Sequence, residues 1–248
     1  MPLTAATSPG YPTILLRGLL AGLIAGLLAG LFAYTAGEPR IDAAIAVEEA
    51  TAHAGGVPDH HDADVPVGRT AQKAGLFLAT ALYGVAMGGL LATAYTLLRR
   101  RLRTTDDTRA ALGLAAAALL GMVLVPFGKY PPNPPAVGDP ATIDQRTISY
   151  LAILVIGLVA VWAGVVAART AGTEWARATA AVAAFTAVAA IGYLLLPTVD
   201  EVPDTFPAGL LYTFRIASLG TQVVLWTALG LTFAGLLHRA RRPTPAPA

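Results

Sequence analysis

Six stretches of this chain run for about twenty residues almost without charge, and that pattern decides what the chain can fold into. They lie at 14–36, 75–98, 110–128, 147–168, 178–199 and 216–237, the first interrupted only by Arg17. A helix rises ~1.5 Å per residue, so ~20 residues cross a ~30 Å hydrocarbon core, and lipid offers no partner for backbone left outside a helix. Hydrophobic residues make up 55% of the chain and charged residues only 13%, about half the ~25% charged share of a soluble domain. The expectation is an all-α integral membrane protein, a bundle of six transmembrane helices forming a single membrane domain over 1–248.

Basic residues set the expected orientation. With the N-terminus in the cytoplasm, the inner segments hold Arg17, Arg99, Arg100, Arg101, Arg103, Arg109, Arg169, Arg177, Arg239, Arg241 and Arg242, the majority of the 17 Lys and Arg. Only Asp106, Asp107 and Glu174 of the 15 acids fall on that side. The positive-inside rule then places both termini in the cytoplasm, as an even number of spans requires. The net charge of +2 is this inside bias and gives no reason to expect nucleic acid. Arg99 to Arg103 read most simply as a topology anchor. A second reading of the first run, Arg17 followed by an apolar stretch ending in small residues near Ala36, is a cleaved signal peptide, although the run exceeds the usual ~7–15 residue apolar region.

The first span carries Gly18, Gly22, Gly26 and Gly30 at four-residue steps, followed in step by Ala21, Ala25, Ala29 and Ala33. Residues four apart share a helix face, so this helix presents a strip nearly bare of side chains for another backbone. Gly84 and Gly88, and Gly113, Ala117 and Gly121, repeat the device more weakly. With no cysteine in the chain, thiolate metal sites and cysteine nucleophiles are excluded.

Two connectors on the expected outer side carry the polar chemistry. In 37–74, Ile41, Ile45, Glu49 and His53 follow one helical row, with Gly55 and Gly56 as a stop, which predicts a short amphipathic helix. Glu49 and His53 could reach one cation there, with Glu48 on an adjoining face. His60, His61, Asp62 and Asp64 follow in PDHHDADVP. Imidazole with carboxylate suits borderline divalent ions such as Co²⁺, Ni²⁺ and Zn²⁺, while the alternative for such a loop is a plain solvated surface. The second connector, 129–146, holds Pro131, Pro132, Pro134 and Pro135, which forbid helix and favour a stiff, extended path. It sets Lys129, Tyr130, Asn133 and Arg146 at the ends of apolar helices. Arg215 opens the last span and is expected to pair with Asp200, Glu201 or Asp204. Gln222 lies about two turns deeper, where an amide needs either a structural partner or a wet cavity.

Enzyme signatures are missing: there is no H-E-x-x-H, no G-x-S-x-G and no P-loop, and the six apolar runs hold no aspartate or glutamate. The phrases GEPRIDAAIAVEEA, RTAQKAGLFLATALYG, VPFGKYPPNPPAVGDPATIDQRTISY and LLYTFRIASLGTQVVLW, in this order from about Arg17 to Leu237, resemble the CbtA family. CbtA is the larger subunit of predicted bacterial cobalt transporters. The resemblance implies an inner-membrane cobalt uptake component, with no bound cofactor, serving cobalamin synthesis beside CbtB, a small single-span partner. Members often carry a longer histidine-rich loop where this chain has His53, His60 and His61. On this reading, lipid and a divalent metal ion are the other partners. Glu48, Glu49, His53, His60, His61, Asp62 and Asp64 are the capture ligands, and Lys129, Tyr130, Asn133, Arg146, Arg215 and Gln222 shape the route or gate. A non-conducting scaffold or metal-delivery subunit, and a lipid-modifying enzyme using Lys129, Asp139 and Arg146, are the alternatives.

Overall fold

The computed structural model describes residues 10–54, 68–102, 104–135 and 137–239; His60, His61, Asp62 and Asp64 lie outside them. Eight α-helices follow in chain order among the described residues: α1 (Tyr11–Phe32), α2 (Glu38–Ala54), α3 (Arg69–Leu98), α4 (Asp107–Ala118), α5 (Val125–Lys129), α6 (Ile143–Thr170), α7 (Glu174–Leu195) and α8 (Ala208–Arg239). No strand occurs among these residues. Among the described residues, six helical runs are long and apolar enough to cross a membrane: Tyr11–Thr51, Arg69–Arg101, Asp107–Lys129, Pro140–Thr170, Glu174–Leu195 and Ala208–Arg239. Their outward faces are greasy, with Leu194 85%, Leu97 71% and Ile148 68% exposed. Water would drive such faces together, whereas lipid covers them without penalty.

Two of the runs are built from more than one helix, for a reason that lies in the sequence. The helix α1 passes into α2 through a π-turn at Ala33–Gly37, and α4 passes into α5 through another at Leu119–Leu124. Each π-turn ends two residues before a proline, Pro39 or Pro126. A proline inside a helix donates no hydrogen bond, and its ring collides with the carbonyl four residues back. Widening the preceding turn relieves that collision: the Val125 N–H reaches back five residues to the Leu120 carbonyl. The stretch expected as a short helix after the first span is therefore α2, joined to α1 without a break.

The chain divides into two compact units. The first contains α1, α3, most of α4 and the C-terminal half of α8. Its centre is the crossing of α1 and α3, where Gly18, Ala21, Gly22, Ala25, Gly26, Ala29 and Gly30 are buried against Gly84, Gly88 and Ala92. A Cβ on Gly22 would overlap the Gly84 carbonyl, and one on Gly26 would lie 2.9 Å from the Ala81 Cα. Contact is backbone on backbone, which no larger residue permits.

The second unit contains the two π-turns, α2, α5, α6, α7 and the N-terminal half of α8. Its helices pack by the same logic. A Cβ on Gly121, in the second π-turn, would lie 2.9 Å from the Gly157 carbonyl oxygen of α6, and a Cβ on Gly164 of α6 would lie 3.0 Å from the Ala181 carbonyl oxygen of α7. At the connector end the helices overrun the apolar runs, since α6 begins at Ile143 and α8 at Ala208. Arg146 and Arg215 consequently stand on helices rather than in loose chain.

Candidate functional site

The proline-rich connector is held at three points, all within the second unit. At its start, Lys129 Nζ donates to the Tyr193 carbonyl at 2.9 Å and lies 5.8 Å from the centre of the Tyr130 ring. Tyr193 in turn donates its hydroxyl to the Val125 carbonyl at 2.7 Å, and Tyr130 donates to the Pro197 carbonyl at 2.6 Å. Gly128 is where this clamp needs a bare backbone, because a Cβ there would meet the Tyr193 hydroxyl.

The middle of the connector is held by Arg215 of α8. Its Nη2 donates to Asn133 Oδ1 at 2.9 Å and its Nε to the Pro132 carbonyl at 3.4 Å. This corrects the expectation that Arg215 pairs with Asp200, Glu201 or Asp204. Proline supplies the reason: it has a carbonyl but no N–H, so Pro132 presents a pure acceptor on a rigid backbone. Glu201 is occupied elsewhere, at the third point.

There the Glu201 carboxylate gathers the end of the connector. Its Oε2 accepts from Arg146 Nη1 at 3.0 Å and from the Asp139 N–H at 3.1 Å, while Oε1 accepts from the Thr142 hydroxyl. Arg146 Nη2 also donates to the Asp139 carbonyl at 3.2 Å, and Asp139 Oδ1 caps the following turn by accepting from the Ala141 N–H at 2.8 Å. Gly138, at φ +135°, makes the bend possible; a Cβ there would sit 2.5 Å from Arg146 Nη1 as well as adopting a strained backbone.

Charge is thus distributed unevenly around the connector. Arg146 is neutralised by Glu201, whereas the bonds from Lys129 and Arg215 go to carbonyl and amide oxygens. Two positive charges that contact no carboxylate among the described residues repel a divalent cation and are not its ligands. Further along α8, the buried Gln222 Oε1 has no hydrogen-bond partner among the described residues.

On α2, Glu48, Glu49 and His53 are exposed, and His53 Nδ1 lies 2.6 Å from the Glu49 carbonyl. An imidazole whose Nδ1–H is committed to a backbone carbonyl presents Nε2 as its ligand nitrogen. Among the described residues, no three His, Asp or Glu side chains are grouped to hold a metal ion.

Sequence reading missed three groups. Glu38 follows the first π-turn directly and is buried, at 6% exposure, inside a spanning helix rather than in a solvated loop. Its signal was Pro39, which looks like a helix boundary unless a π-turn is considered. Trp226, one turn beyond Gln222, has a buried Nε1 with no hydrogen-bond partner among the described residues. In the first unit, Arg99 organises the segment between α3 and α4: Nε donates to buried Asp107 at 2.7 Å, and Nη1 and Nη2 donate to the carbonyls of Thr104 and Thr105 at 2.8 Å. One of the supposed anchor arginines is therefore a clamp.

The family model described as "Probable cobalt transporter subunit (CbtA)" matches residues 11–238. The chain belongs to the CbtA family. No curated protein and no solved structure matches it. As a CbtA chain with six helices able to cross a membrane, it is a multi-pass membrane protein and a probable cobalt transporter subunit. The connector, 129–146, lies inside the matched region.

Proposed function

We propose that this CbtA chain is the membrane-embedded subunit of a Co²⁺ uptake system in the cytoplasmic membrane, supplying cobalamin synthesis. The observation that carries this reading is the match to the cobalt transporter subunit family across 11–238. Both termini face the cytoplasm, and the connector and α2 face outward. The acidic outer side concentrates cations. Glu48, Glu49, His53, His60, His61, Asp62 and Asp64 capture Co²⁺, and Lys129, Tyr130, Asn133, Arg146, Arg215 and Gln222 shape the route below. The fixed cations Lys129 and Arg215 define walls that the ion avoids, and Gln222 offers an oxygen along the way. A small single-span partner of the CbtB kind completes the transporter.

Cobalt accumulation in cells tests the capture role. Replacing Glu48, Glu49 and the three outer histidines together is expected to lower uptake at limiting Co²⁺, and unchanged uptake removes that role. The chain has no cysteine, so single cysteines at Ala141 and Arg101 test orientation: an impermeant thiol reagent should reach the first from outside and the second only from the cytoplasm.

A scaffold that conducts nothing by itself is the second reading. It is favoured by the absence of a three-ligand acidic or histidine group among the described residues. Liposomes containing this chain alone and a Co²⁺-sensitive dye separate the two, since a scaffold gives no flux until its partner is added.

A further inference from the structure

The second unit presents a groove of about 330 Å³ on α6, lined by Ile143, Arg146, Thr147, Tyr150 and Leu151. That volume falls at the low end of the ~300–1,000 Å³ usual for ligand sites. Its polar members lie at the start of α6, where the helix leaves the proline-rich connector. From Leu151 onward the helix carries an exposed apolar row, Leu151, Val155, Leu158 and Trp162, the last 66% exposed. Steps of three and four keep the row on one face, and its rise of ~16 Å matches the ~15 Å hydrocarbon depth of one leaflet. A polar head above one leaflet's depth of apolar wall has the shape of a phospholipid site.

The donors and acceptors select the headgroup. Arg146 gives one N–H of Nη1 to Glu201 and one of Nη2 to the Asp139 carbonyl, which leaves each terminal nitrogen a second N–H. Its side chain is 32% exposed, and a guanidinium so placed suits a phosphate. Tyr150, 44% exposed, adds a phenol at the depth where tyrosines meet headgroups. Thr147 commits its proton to the Ile143 carbonyl at 2.8 Å, so its oxygen offers only an acceptor. The exposed Asp144 stands three residues before Thr147, a neighbour on the helix surface.

Charge narrows the choice further. Glu201 already balances Arg146, and Asp139 and Asp144 add two exposed carboxylates, so a purely anionic headgroup would bring surplus negative charge. A zwitterion with a primary ammonium answers both halves, phosphate for the guanidinium and phenol, ammonium for Thr147 and Asp144. A quaternary ammonium has no N–H to give to either.

We infer that this groove binds one phospholipid of the phosphatidylethanolamine class. Its phosphate rests on Arg146 and Tyr150, its ammonium on Thr147 and Asp144, and an acyl chain follows Leu151 to Trp162. The bound lipid fastens the end of α6 that carries the Glu201 anchor of the connector. All the groups involved belong to the second unit, and the site stands apart from the uptake reading.

Native mass spectrometry of the delipidated full chain tests it, by titration with phosphatidylethanolamine, phosphatidylglycerol and phosphatidylcholine of identical acyl chains. The first phosphatidylethanolamine should bind the unmodified protein at least fivefold more tightly than either of the others, a comparison that needs no variant to fold. Tyr150→Phe and Asp144→Asn, both at exposed positions, should each bring that preference below twofold, while Tyr212→Phe, exposed on α8, should keep it. Binding of phosphatidylethanolamine no tighter than either of the other lipids overturns the inference. So does a preference that either groove variant retains, or an equal loss in Tyr212→Phe. A dimer that takes up no lipid also overturns it, since a second copy would then cover the groove. Cobalt flux is not the readout, so failure here leaves the uptake reading standing, and failure of uptake leaves the lipid site standing.

Discussion

Removing the Glu201 carboxylate should release the end of the connector while leaving the helices in place. Three donors converge on it: the Arg146 guanidinium, the Asp139 N–H and the Thr142 hydroxyl. A hydrogen bond to a charged group contributes about 1.5–3 kcal/mol, so the three together set an upper range of about 4.5–9 kcal/mol. The Glu201 side chain is 12% exposed and that of Arg146 32%. Water therefore recovers part of the loss, and the expected cost of Glu201→Ala is about 3 kcal/mol, roughly a hundredfold in the unfolding equilibrium. Glu201→Gln keeps the shape and one acceptor and should cost about half as much. A double-mutant cycle with Arg146→Met isolates the ion pair, for which a coupling of about 1–2 kcal/mol is expected. The assay is reversible unfolding in mixed micelles followed by circular dichroism, combined with limited proteolysis of the connector. Coupling near zero, or a Glu201→Ala protein as stable and as resistant to cleavage as the parent, would refute the reasoning.

Three further outcomes follow from the packing. Gly128→Ala should destabilise by about 1–3 kcal/mol through its clash with the Tyr193 hydroxyl. Tyr193→Phe removes that oxygen, so the double variant should cost less than the two single costs combined, and strict additivity in thermal unfolding would count against the contact. Arg99→Ala should cost about 2–4 kcal/mol because it removes the guanidinium that neutralises the buried Asp107 carboxylate, whereas Arg100→Ala, at an exposed position, should stay within about 0.5 kcal/mol; equal effects of the two on melting would contradict the clamp. Gly22→Leu should prevent close approach of α1 and α3 and abolish recovery of folded protein after detergent extraction, while Leu23→Ala on the exposed face should extract normally.

Local sequence carried the parts of this structure that depend on local physics. Apolar run length announced six spanning helices, and the four-residue glycine step announced the face on which α1 meets α3. Partner choice is different, because it depends on which groups remain unclaimed after folding. Arg215 lies close in sequence to Asp204 yet bonds Asn133, because Glu201 is claimed by Arg146 and the connector brings a bare carbonyl and an amide to α8. The continuation of α1 into α2 was hidden by Pro39, which ends most helices and here only widens one turn. Trp226 gave no signal at all, since tryptophan is ordinary in an apolar span and only its unanswered N–H sets it apart. The histidine and acidic loop ligands remain a reading of composition joined to family membership.

A π-turn is what an α-helix becomes when it absorbs one extra residue. One residue corresponds to about 100° of rotation, so each of the two π-turns sets the angular phase at which everything after it emerges. Deleting a single residue between Leu119 and Leu124 would restore a regular helix at that level. Winding the undeleted sequence back into a regular helix would instead swing Lys129 and Tyr130 about 100° away from Tyr193 and Pro197, undoing the connector's first attachment. The extra residue in each π-turn therefore sets aim rather than length, and Pro39 and Pro126 act as the stops that keep each helix from winding back.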